Sequence, residues 1–389
     1  MRSNLFAYGF RSSFLLAGIA AMLLVPLWAW SFVTGTPLGS SWPPTLWHGH
    51  EMLFGFIASA MAGFLLTAVP SWTDQKGFSG RPLVILASIW LAARVLIASS
   101  AFWPAVLIAA VDLAFLPALA LLVARPLLRS RSRNTPLLAV LALFWLTDLV
   151  FQIGLIRNNP PLALHALHIG IDIMLVLVTV IGGRIVPSFT SAALRTRGLP
   201  DVVQNRSALT GLAIAGMVAV MLSDVFWSES PVAGVIAAVA ASVQAVRLLQ
   251  WATWRTLRQP ILWVLHLSYA WLPVGLALKA VALLSGAAFA AFWLHAMTIG
   301  ALATMILAVM TRASLGHTGR ALIVAPLTTL AYLLLTAAAV VRVFGLSALR
   351  LNYPVMIIGS ALFWTTAFAL FVLVYAPILW GPRADGKAG

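Results

Sequence analysis

No cysteine occurs anywhere in the 389 residues, which removes disulfides, thiolate metal sites, iron–sulfur clusters and a cysteine nucleophile from consideration. Any metal must be held by histidine, carboxylate, methionine or backbone oxygen. Charge is nearly as scarce: 8% of residues are Asp, Glu, Lys or Arg, and only 9 are acidic. With 62% hydrophobic residues and a mean hydropathy of +1.01, too little polar surface remains to clothe a water-soluble globule. The solvent implied is a lipid bilayer. Lipid offers the backbone no hydrogen-bond partners, so spanning elements are helices or a closed barrel, and apolar runs near 20 residues without period-2 alternation select helices. The sequence predicts an all-α polytopic membrane protein forming a single transmembrane domain over 1–389.

Six apolar runs, near 12–34, 45–69, 82–100, 102–124, 136–157 and 160–186, are followed by six more near 206–227, 231–253, 260–285, 289–311, 322–344 and 353–379. Only a short break at Ser99 to Pro104 divides the third from the fourth. The first run is too long for a signal-peptide core and lacks an A-x-A cleavage site, so it reads as a retained helix. The net charge of +15 does not point to a nucleic-acid partner, because the arginines sit in hydrophilic breaks between spans. With the N-terminus inside, 19 of the 24 Lys and Arg residues fall in or beside cytoplasmic segments. Arg157, Arg342 and Arg350 fall outside, and Arg94 and Lys279 within spans. The expected location is the bacterial inner membrane, multi-pass, with both termini cytoplasmic.

A short pattern recurs every four helices: His50-Glu-Met-Leu-Phe-Gly55, His165-Ala-Leu-His-Ile-Gly170 and His295-Ala-Met-Thr-Ile-Gly300, at intervals of 115 and 130 residues. Spans two and six also share Val69-Pro-Ser-Trp-Thr73 and Val186-Pro-Ser-Phe-Thr190. Three four-helix units, 1–133, 134–258 and 259–389, fit this better than two six-helix halves.

Spans two, six and ten run in the same direction, which sets His50, His165 and His295 about 7 to 9 Å below the outer boundary. His48 and His168 lie near the same layer, so five of the seven histidines share one depth on three helices. This layer is the candidate metal- or cofactor-binding site. His165, His168 and Asp172 follow helical spacing on one face, where Asp172 is a candidate for orienting His168 through its second ring nitrogen. Glu51 is the candidate catalytic carboxyl, with three roles open: proton carrier, metal ligand or partner of His48. Arg94 and Asp112, on adjacent antiparallel spans, read as a structural ion pair. Asp148 and Gln152 share a face of span five, either lining a polar interior or packing. His266 and His317 belong to the inner half and mark a candidate second site.

At these positions the chain resembles the NnrS family. The likeness is carried by Trp47-His-Gly-His-Glu-Met-Leu-Phe-Gly-Phe56, Ala62-Gly-Phe-Leu-Leu-Thr-Ala-Val-Pro-Ser-Trp72, Ile181-Gly-Gly-Arg-Ile-Val-Pro187, and Met305-Ile-Leu-Ala-Val-Met-Thr-Arg312 through Gly316-His-Thr-Gly-Arg320. The resemblance implies a bacterial membrane protein containing haem and copper, linked to nitric oxide metabolism or to resistance against nitrosative stress. Bis-imidazole haem needs two histidines and a three-imidazole copper site three, which the five outer histidines suffice to supply. Twelve helices in three four-helix units with outer histidines are similar in layout to haem-copper oxidases. Span seven lacks their paired histidines and span ten their H-x-H, so that ligand scheme does not transfer. The expected partners are nitric oxide as ligand, the lipid bilayer, and quinol or another electron donor if the protein turns over. An enzyme of this kind would be a redox enzyme acting on nitric oxide. The competing reading is a transporter of a metal, haem or small solute, which predicts a site nearer the midplane.

Overall fold

A computed structural model of the chain describes residues 4–36, 39–199 and 202–387; Arg2, one of the 19 basic residues counted above on the cytoplasmic side, lies outside them. Among the described residues twelve helices are long and apolar enough to cross a membrane, and there is no strand. They are α1 Gly9–Thr34, α2 Pro44–Thr73, α3 Arg81–Ala98, α4 Ala105–Arg129, α5 Leu137–Ile156, α6 Pro160–Arg195, α7 Ser207–Trp227, α8 Pro231–Leu249, α9 Pro260–Ser285, α10 Ala288–His317, α11 Pro326–Phe344 and α12 Tyr353–Trp380. The chain is an all-α, multi-pass membrane protein.

Helix boundaries follow local chemistry. Proline opens α2, α6, α8, α9 and α11, a position where the absent N–H would have had no partner and the fixed φ already suits the helix. Gly35 and Gly286 end α1 and α9 in the left-handed region, at φ 72° and 66°, and donate to the carbonyls of Ser31 and Ala282. Two helices change pitch within the membrane: α2 is π-helical over Glu51–Ile57 and α10 over Ala296–Ala303. Each π segment begins directly after a histidine of the recurring motif, His50 and His295. Helix α4 is interrupted after Asp112 and resumes at Phe115.

The residues gather into two compact units, Met1–Gly170 with Met310–Leu322 and Phe368–Gly389, and Ile171–Val309 with Ile323–Ala367. In the first, α1 packs on α2 through glycine: a Cβ on Gly9 would stand 2.3 Å from Leu66 Cβ, and one on Gly63 2.6 Å from the Phe14 ring. Lipid supplies no hydrophobic drive between helices, so close backbone approach at small residues carries the packing. Buried Arg11 donates to the carbonyls of Leu379 (2.9 Å) and Gly381 (2.7 Å), where α12 ends. The Asn4 N–H donates to Trp380 O at 3.2 Å, and Arg383 to His317 O at 3.0 Å. The start of α1 and the ends of α10 and α12 therefore share one face, which suits an even number of crossings. Beyond α12, Arg383 also grips exposed Asp385 at 2.8 and 2.6 Å, holding that carboxyl below the usual range.

In the second unit α9 is central. Gly275 meets Met297, and Gly300 meets the Trp271 ring, where a Cβ would come to 2.5 Å. Arg247, buried on α8, lies over Gly183 and donates to Thr179 O at 3.0 Å and the Tyr269 hydroxyl at 2.9 Å.

Candidate metal centre

Histidine 50 lies at the end of the first α-helical stretch of α2, and the π segment begins at the next residue. A π turn holds one more residue than an α turn, so it re-aims the side chains on either side of it. Here both His50 and Glu51 are buried, at 0% and 1% exposure. The backbone of the wider turn is tied to α3 by the Trp90 indole, which donates to Gly55 O at 2.9 Å. A Cβ on Gly55 would come within 2.9 Å of Arg94 Nη1. The glycine of the first H-x4-G motif thus makes room for the guanidinium.

Three further helices of the same unit aim charge at His50. Its Nε2 lies 2.9 Å from Asp112 Oδ2 on α4 and 3.3 Å from Asp148 Oδ1 on α5, and its Nδ1 lies 3.2 Å from Glu51 Oε1. Arg94 on α3 donates to Asp112 Oδ1 and stands 3.0 Å from Glu51 Oε1. Gln152, one turn beyond Asp148, donates to Asp112 Oδ2 at 2.8 Å. The break after Asp112 leaves the Leu113 carbonyl to accept from Trp145 of α5 at 3.0 Å, which fixes α4 against α5 where the carboxylate points inward. Phe54, Phe151 and Trp42 wall the imidazole, with ring centres 5.0, 4.7 and 5.1 Å away.

Charge accounting defines what this cluster can do. Three carboxylates face one guanidinium, so a neutral His50 leaves two negative charges buried among aromatic rings. Burying uncompensated charge in hydrocarbon is costly. One divalent cation, or two protons, brings the sum to zero. His50 Nε2 and one oxygen each from Asp112 and Asp148 lie within 4.8 Å of one another. Bonds near 2.1 Å set tetrahedral donors about 3.4 Å apart; the His50–Asp148 pair at 3.3 Å has that spacing, and the His50–Asp112 pair at 2.9 Å would open slightly to admit an ion. One imidazole and two carboxylates form a nitrogen–oxygen donor set suited to divalent first-row ions. Glu51, off the donor set, is placed to accept from Nδ1–H and so keep the Nε2 lone pair available.

The other predicted residues distribute as follows. His48 is half-buried and stacks on Trp28 with ring centres 4.0 Å apart. Gly49 packs on Leu167, a Cβ there coming to 2.7 Å from its Cδ1. The His48–His50 stretch is thereby brought against the His165–His168 stretch of α6, whose two imidazoles are half-buried. The glycine of the second motif, Gly170, sits against Leu53 of the first. His295 is half-buried in the second unit, its ring centre 6.3 Å from that of Phe292. Asp172 meets the Asp224 carboxyl. His266 is buried between two hydroxyls, Thr190 at 2.8 Å and Thr253 at 3.0 Å, and the His317 ring lies 5.6 Å from Phe10. The sequence reading paired Arg94 with Asp112 and set Asp148 and Gln152 on one face, both as found. It did not bring these residues to His50, because nothing in one sequence gives the relative rotation of α2, α4 and α5.

Fold and centre together define a multi-pass helical membrane protein with a buried, metal-competent cluster of ionisable residues. It belongs to the NnrS family: the family model, described as NnrS protein, matches residues 4–383. No curated protein matches the chain.

Proposed function

We propose that this protein is a haem- and copper-binding protein of the bacterial inner membrane, with both termini cytoplasmic, that acts in the cell's response to nitric oxide. The observation that carries a metal ion here is the convergence of His50, Asp112 and Asp148 donor atoms in one buried cluster, and family membership is what selects copper. Asp112, Asp148 and His50 Nε2 hold the ion; Arg94 and Gln152 orient Asp112, and Glu51 fixes the His50 tautomer. Copper in such a site supplies one-electron redox chemistry and a place for a diatomic ligand to bind. Glu51 is the carboxylate left off the donor set, and its contact with His50 and Arg94 suits it to accept or return a proton. Trp42, Phe54 and Phe151 keep water from the imidazole. For haem, the half-buried imidazoles of His48, His165 and His168 in the first unit and of His295 in the second are the right donor type. Family membership supports this cofactor pair and the link to nitric oxide. The cytoplasmic side is assigned to the face where α1 begins and α10 and α12 end, which holds Arg11, Arg320 and Arg383.

The test is metal analysis with an optical spectrum of the purified protein, before and after nitric oxide under reducing conditions. Copper together with a Soret band that shifts with the gas is the expected result. A folded protein that takes up neither cofactor would contradict it and favour transport.

A further inference from the structure

A second buried cluster, which plays no part in the proposed copper centre, lies entirely within the second unit. Asp172 on α6, Asp224 on α7 and Lys279 on α9 are 3%, 6% and 1% exposed. Lys279 donates to Asp224 Oδ2, and its ammonium sits 4.8 Å from the centre of the Trp293 ring. Asp172 faces Asp224, and these two aspartates and Lys279 are the charged groups of the cluster. Asp172 Oδ2 and Asp224 Oδ1 receive no hydrogen bond from any described residue.

Ionised carboxylate oxygens only accept hydrogen bonds, so two of them buried side by side need a positive species between them. Lys279 serves Asp224 Oδ2 and balances one charge of two. One negative charge of the facing carboxyl pair is left over, and Asp172 Oδ2 and Asp224 Oδ1 are its buried oxygens without a donor among the described residues. We propose that Asp172 and Asp224 form a binding site for one small monovalent cation, a proton or a sodium ion, with Lys279 as its fixed counter-charge. In a membrane protein such a site gives one leg of a cation path or a charge-compensating step for electron entry.

Carbodiimide labelling of the full-length protein in lipid nanodiscs, read by peptide mass spectrometry, is the test, because the reagent modifies protonated carboxyls in apolar surroundings. If the cation is a proton, Asp172 or Asp224 is labelled equally in sodium and potassium salts. An infrared carbonyl band of a protonated acid is then present in the wild type and lost in Asp172→Asn. If it is sodium, labelling falls several-fold in sodium but not in potassium, and one sodium binds per chain in the wild type and none in Asp172→Asn. Asp172→Asn itself leaves a neutral Asp224–Lys279 pair and is expected to fold. No labelling, no carbonyl band that depends on Asp172, and no bound sodium would together overturn the site.

Discussion

Single residues in the His50 cluster differ in what they do, and substitution separates the roles. Asp148 contacts His50 but not Arg94, so Asp148→Asn removes a proposed metal ligand and one carboxylate charge without breaking the guanidinium pairs. We expect that variant to fold with near wild-type thermal stability while copper falls at least about tenfold, a factor equivalent to ~1.4 kcal/mol of binding free energy; haem content should be unchanged. Arg94→Gln does the reverse. It strands Asp112 and Glu51 without their cation, and the loss of one partner of a buried ion pair costs about 3–5 kcal/mol. Thermal unfolding in detergent should show that variant as the most destabilised of the cluster. If Arg94→Gln is as stable as the wild type, the cluster is not held together by charge. The residue types of this site were visible in the sequence, since an intramembrane carboxylate or histidine stands out against an apolar background. Their convergence was not: His50, Asp112 and Asp148 are separated by tens of residues, and contact depends on helix rotation.

At the level of elements, the twelve spans were legible because hydropathy reports the length of chain that lipid must cover. Where prediction and structure differ, hydropathy had stopped reporting. The sequence places the end of span six near 186 and of span ten near 311, whereas α6 continues to Arg195 and α10 to His317, since helix persists into polar sequence beyond the hydrocarbon. The π segments were invisible, because Glu51–Ile57 and Ala296–Ala303 have ordinary membrane composition and differ only in hydrogen-bond pattern. Their placement after His50 and His295 gives the recurring H-x4-G motif a physical meaning in two of its three copies. Deleting Met52 should convert the first segment to regular α-helix and turn His50 away from Phe54. We expect copper to be lost while membrane insertion and expression persist; copper retained at full stoichiometry would show that the π turn does not aim the ligand. Glycine contacts offer a second test. A Cβ on Gly154 of α5 would stand 2.8 Å from the backbone nitrogen of Ala163 on α6, whereas one on Gly211 meets nothing within 4 Å. Gly154→Ala should destabilise by about 1–3 kcal/mol, and Gly211→Ala should be neutral or stabilising by up to ~1 kcal/mol. Equal thermal shifts for the two would contradict the α5–α6 contact.

For the whole molecule, the absence of cysteine makes topology directly measurable, since any introduced thiol is the only one. Ser130, between α4 and α5, and Ser228, between α7 and α8, are both exposed. With both termini cytoplasmic, Ser130→Cys should react with a membrane-impermeant maleimide only after cells are opened, and Ser228→Cys in intact spheroplasts. The opposite pattern would invert the protein and move the His50 layer to the cytoplasmic half. The most direct test of the central claim is copper stoichiometry, measured with the optical spectrum, in wild type and Asp148→Asn purified side by side. One copper per chain in the wild type, lost in the variant while the haem spectrum is unchanged, is the expected result. Copper bound equally by both proteins, or by neither, would show that His50, Asp112 and Asp148 do not form the metal centre.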